Sequence, residues 1–160
     1  MRVRRLSRWF AAALCALLLA ACAAPAGKDA ASSDAPPGCP ADARALPVEA
    51  LYGRWLARFD GAADAASVAL HAHPEYAGSV RGSVTRGGSS SPQTSQLAGD
   101  VTDDGILALD ESRDGRSISA VWTAELVPAS CGKEFKGTWR NAADDRTLTF
   151  VLTRASPPSP

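Results

Sequence analysis

Residues 106–127 read ILALDESRDGRSISAVWTAELV. Leu107 and Leu109 in the first run, and Ile118, Ala120, Trp122, Ala124 and Leu126 in the second, fall on every second position. A period of two turns the apolar side chains to one face of an extended strand, whereas a helix needs them three and four apart. Between the runs stands Asp114-Gly115, a dipeptide that suits a hairpin because glycine accepts the left-handed backbone there. The stretch reads as two antiparallel strands, each with one apolar and one polar face.

The same grammar extends in both directions. Asp60-Gly61 and Asp104-Gly105 are hairpin dipeptides of the same kind. Breaks also fall at 73–78, 87–92, 128–132 and 141–145, where Gly, Pro, Asn and Asp collect. Seven breaks imply eight strands, near 53–59, 66–73, 79–86, 95–102, 106–111, 116–127, 135–140 and 146–154. Elsewhere the inward sets are Val68, Leu70 and Ala72; Val80, Gly82 and Val84; and Leu97, Gly99 and Val101. Phe135, Gly137 and Trp139, then Leu148, Phe150 and Leu152, complete them. Short sequential hairpins with one polar face per strand predict an all-β fold, an antiparallel up-and-down barrel or strongly curled sheet of about eight strands.

One segment reads two ways. Val48, Leu51, Tyr52, Trp55, Leu56 and Phe59 also fit a helical stripe over 47–59, with Pro47 suited to a first turn. Gly53 would then sit mid-helix at about 1 kcal/mol. The favoured reading is a short helical turn at 47–52 running into a strand from Gly53.

The formal charge of zero, from 17 basic and 17 acidic residues, hides an asymmetry. Residues 1–8 hold Arg2, Arg4, Arg5 and Arg8 and no acid, and residues 9–21 are an apolar run. This is the layout of a signal peptide, too short for a membrane-spanning helix of about 20 residues. Without residues 1–21 the basic count falls by four to 13, against 17 acids, a net charge of −4. That balance argues against nucleic acid as a partner. The run ends in Leu19-Ala20-Ala21-Cys22. The tetrapeptide resembles the lipobox of bacterial lipoproteins. The resemblance implies cleavage before Cys22, palmitate-type acylation of that cysteine and a membrane anchor. Ala23, in place of the aspartate associated with inner-membrane retention, implies the outer membrane, facing the periplasm. The alternative is an ordinary signal peptide cut after Ala24 or Ala26.

Residues 22–46, rich in Ala, Ser, Asp, Pro and Gly, read as a disordered tether, residues 47–155 as the domain and 156–160 as a loose tail. Cys15 leaves with the signal and Cys22 takes lipid, so Cys39 and Cys131 remain. In an oxidising compartment an even pair reads as a disulfide. Closing a loop of about 90 residues is worth roughly 4 kcal/mol on chain-entropy grounds.

A second resemblance rests on two strand ends. Gly53-Arg54-Trp55 opens the first strand, and Arg154, in phase with Phe150 and Leu152, ends the last. This is similar to the calycin pattern of lipocalins, avidins and small bacterial protease-inhibitor barrels. It implies that Trp55 closes one end of the barrel with Arg154 packed across it.

Candidates for chemistry are few. His71 and His73 project to one strand face as a two-histidine metal site would need, with solvent-facing histidines as the competing account. The run from Asp100 to Glu111 approaches an EF-hand loop, but a hairpin turn at Asp103-Asp104-Gly105 explains it more simply. The carboxylate pairs, Asp110 and Glu111 among them, are expected in polar turns, and Arg81, Arg86, Arg113, Arg116, Lys133 and Lys136 on a solvated surface. Trp55, Trp122 and Trp139 either fill a narrow barrel or line a small apolar ligand site.

The expectation is a non-enzymatic envelope lipoprotein without a cofactor, a structural or interaction module contacting envelope proteins or peptidoglycan. The alternatives are a calycin-like carrier of a small apolar ligand and a small-barrel periplasmic protease inhibitor.

Overall fold

The computed structural model describes residues 35–87 and 91–156. The signal peptide, Cys22, the first part of the tether and the tail from 157 lie outside the described residues. Eight strands follow one another in chain order: β1 Gly53–Phe59, β2 Ala66–Ala72, β3 Val80–Arg86, β4 Gln93–Val101, β5 Ile106–Ser112, β6 Ala120–Leu126, β7 Glu134–Asn141 and β8 Thr147–Arg154. Each pairs antiparallel with the next, and β1 pairs with β8, so the sheet closes into an up-and-down barrel. Closure removes both sheet edges and satisfies every strand's ladder from both sides.

The alternation decides what lies inside. Trp55, Ala57 and Phe59 of β1, Ala120, Trp122 and Ala124 of β6, and Phe150 and Leu152 of β8 are all buried. Arg54, Arg58, Thr123 and Lys136 lie between them on the exposed face. Apolar inside and polar outside is the reverse of a barrel that faces lipid. Aromatic rings fill the middle. Phe59 lies 5.2 Å from Trp122, Trp122 lies 4.8 Å from Phe150, and Trp55 meets Phe135 at 5.7 Å, the first two edge to face and the last likewise steeply tilted. So narrow a barrel curls tightly. A Cβ on Gly99 would stand 1.9 Å from the Ala108 carbonyl oxygen, and one on Gly82 equally close to that of Ala69. Glycine occupies these inward positions because the neighbouring backbone takes the side chain's place.

The ambiguous segment resolves as a 3₁₀ turn, Val48–Leu51, followed by β1 from Gly53. Gly53 has φ +114°, which an L side chain resists, so the helix cannot run through it. At this end Trp55 Nε1 donates to the Leu51 carbonyl at 2.8 Å. Arg154 covers the Trp55 ring at 4.6 Å and donates to the carbonyls of Tyr52, at 2.5 Å, and Ala50. The end is closed.

Three local expectations are corrected. Ile118 is 52% exposed, because residues 113–119 form a loop instead of continuing β6. Asp114 Oδ1 accepts from the amides of Arg116 and Ser117, both at 2.9 Å, which draws them away from the ladder. Ala72, assigned inward, is exposed at the end of β2. Residues 39–46, assigned to the tether, pack on the closed end. Cys39 is bonded to Cys131, Ala43 is 1% exposed within the 3₁₀ turn Ala43–Ala45, and Asp42 caps that turn through the Arg44 amide at 2.8 Å. Among the described residues every buried apolar side chain lies between Ala43 and Leu152, within the stapled barrel.

Candidate binding site at the open end

The end of the barrel opposite the disulfide is formed by the last residues of β1, β3, β5 and β7 and the first of β2, β4, β6 and β8. Inside it lies a carboxylate. Glu111, two residues past Leu109 on β5, keeps the inward phase and is 1% exposed. A buried carboxylate needs donors on every side. Arg86, two residues past Val84 on β3, supplies a parallel pair, Nη1 to Oε1 at 2.7 Å and Nη2 to Oε2 at 2.8 Å. Trp122 Nε1 and Trp139 Nε1 each donate to Oε2 at 3.0 Å. Burial pushes the Glu111 carboxyl up, but the Arg86 hydrogen bonds and charge and the two indole donors outweigh it, so it stays below its ordinary value.

The guanidinium is caged in turn. Its Cζ lies 5.3 Å from the Phe59 ring, 5.4 Å from Trp122 and 5.6 Å from Trp139. The ion pair therefore ties β3 to β5 and, through the indoles, to β6 and β7. It also floors the open end: the aromatic core lies beneath it and solvent above.

Above this floor is a cavity of about 500 Å³. Its apolar wall is Phe59, Trp139 and Leu148, and its polar wall includes Thr94 and Ser95. Arg86, Arg113 and Arg146 line it, and among the described residues no carboxylate does. Arg113 comes from the β5–β6 loop and Arg146 from the β7–β8 loop, and both are exposed.

The residues singled out in the sequence are dispersed. Of the three tryptophans, Trp139 lines the cavity, Trp122 supports the ion pair and Trp55 is at the other end. His71 sits outward on β2, opposite Arg81. His73 lies past the strand, where its Nδ1 accepts from the amides of Glu75 and Tyr76, both at 3.1 Å, and caps the turn. Asp100 is on the outer face of β4 while Glu111 is inside, so the barrel wall separates the two ends of the EF-hand-like run. No group of three or more metal-binding side chains gathers among the described residues.

Arg86 and Glu111 correct the sequence reading, which put the arginine on the surface and the glutamate in a solvated turn. The signal that finds them is their phase: each continues an inward set by one more step of two. No protein-family model and no curated protein matches this chain.

Proposed function

We infer that this chain is a non-enzymatic envelope lipoprotein, held on the outer membrane through Cys22 on the periplasmic side, whose barrel is a binding module. The attachment rests on the lipobox-like Leu19-Ala20-Ala21-Cys22. Several acyl chains at about 0.8 kcal/mol per buried CH₂ make such an anchor stable. A barrel with a polar outer face has no means of holding a membrane by itself, which is consistent with a lipid doing so.

The observation that carries the binding role is the cavity. It has the size of a small-molecule site, is walled by aromatic and aliphatic side chains, and has a few polar groups at one rim. It lies at the end away from the stapled N-terminal segment. The filled interior counts against a calycin-like carrier with its ligand inside the barrel, so the cavity supports instead a carrier whose ligand sits at the open end. The protease-inhibitor reading needs a free N-terminal segment, whereas residues 39–46 are pinned and packed.

The experiment is recovery of bound material. Protein extracted under mild conditions from native envelopes is denatured, and the small molecules released are identified by mass spectrometry. A molecule present in near-equal amount with the wild type, and lost in Leu148→Arg, is the expected result. A wild-type protein that releases nothing overturns the carrier reading.

A further inference from the structure

We propose that the open end takes a small amphipathic anion, one carboxylate or phosphate group on an apolar body. The inference rests on the reading of that end as a ligand site and names the ligand's chemistry.

Charge is the first argument. The chain beyond residue 21 is net acidic, at −4, yet among the described residues the cavity is lined by three arginines and no acid. Glu111 already matches Arg86 from below. Arg113 and Arg146 have no such match: neither side chain makes a hydrogen bond or an ion pair among the described residues. Two unmatched guanidinium groups at one rim favour a planar or tetrahedral oxyanion, which a guanidinium grips through parallel N–H donors.

The second argument is the wall opposite. Phe59 and Trp139 are 9% and 5% exposed, and what remains open of them borders the cavity beside Leu148. An inorganic anion would leave this surface wet, while an apolar body covers it. The third is Ser95. It is 7% exposed, lines the cavity, and makes no side-chain hydrogen bond among the described residues. With no buried side-chain polar atom left unpartnered among the described residues, that hydroxyl opens onto the cavity, where it can donate to a ligand oxygen. The site is concave and two-sided, so a small molecule fits it better than a polyanion, which needs a track of basic residues.

Binding is measured by tryptophan fluorescence and calorimetry on the chain from Ala23 onward, which contains the whole stapled barrel. Decanoate and decyl phosphate carry the two head groups, 1-decanol the same body without charge, and decyltrimethylammonium the opposite charge. We expect the two anions to bind with Kd at least about tenfold below that of decanol, and the cation not to bind. Arg113→Gln and Arg146→Gln each remove an exposed side chain without touching the core, and each should weaken the anions about tenfold while leaving decanol unchanged. Preference for one anion over the other identifies the head group as carboxylate or phosphate. Decanol binding as tightly as decanoate, or anion binding indifferent to both substitutions, overturns the proposal and leaves the binding module standing. If none of the four probes binds, both readings fall.

Discussion

Trp55 and Arg154 are opposite each other across the seam of the barrel, paired in register between β1 and β8 with the guanidinium 4.6 Å from the indole centre. The seam joins residues near the two ends of the domain, so this contact locks the closure. Arg154 also ties the preceding turn to the barrel through the Tyr52 and Ala50 carbonyls. Gly53 makes room for it, since a Cβ there would stand 2.9 Å from Arg154 Nη1.

Gly53→Ala should therefore destabilise the fold by about 1–3 kcal/mol, from the backbone at φ +114° and the displaced guanidinium together. Urea denaturation followed by tryptophan fluorescence measures it. Gly38, which has positive φ but open space around it, is the control and should cost less on substitution by alanine.

Removing one partner of the ion pair at the open end should be costly. Glu111→Ala leaves Arg86 caged without its counter-charge, at about 3 kcal/mol, the low end of the range for such pairs because the Arg86 side chain is 31% exposed. Replacing both, Arg86→Met with Glu111→Leu, should recover most of that loss. A double variant as unstable as the single one would mean that the pair contributes by its charge and not by filling space.

Stability should also fall in acid through Glu111. A carboxyl whose folded pKa lies below its unfolded value contributes stability that is present above the unfolded value, about 4.3, and is lost as pH drops through the folded one. Thermal unfolding of wild type and Glu111→Gln should therefore differ at neutral pH, and the difference should shrink as pH falls below the unfolded value of about 4.3. Asp114 is likewise lowered, by the amides of Ser117 and Arg116, but it is exposed and adds little to this slope.

The disulfide should act mainly on the unfolded chain. Cys39 and Cys131 are 92 residues apart, and freeing them together as Cys39→Ser and Cys131→Ser should cost roughly 4 kcal/mol. The mass of the unreduced wild type, two hydrogens below the dithiol form, checks the bond independently.

Cys22→Ser should abolish incorporation of labelled palmitate and leave the leader, residues 1–21, uncleaved. Palmitate label retained after this change would contradict lipid anchoring at Cys22.

The strand count, the turns and the inward sets were legible because each is a property of a short stretch of chain. Asp-Gly dipeptides mark chain reversals wherever they occur, and alternation turns every second side chain inward. Local cues mislead at the strand ends. Ile118 continues the β6 alternation, but the hydrogen bonds of Asp114 take its backbone out of the ladder. Arg86 and Glu111 look like surface residues because they are charged and border turns, although their phase points inward.

The sequence by itself determined an all-β chain of eight hairpin-linked strands and its disulfide pair. Only the tertiary structure decided that Arg86 and Glu111 meet. They are 25 residues apart on strands that are not neighbours, and their contact depends on how the closed sheet is staggered around its axis. The same stagger sets Arg113 and Arg146, from different loops, around one cavity. A strand's alternation says which side of the wall a side chain takes. Closure of the wall decides which side chains then share its interior.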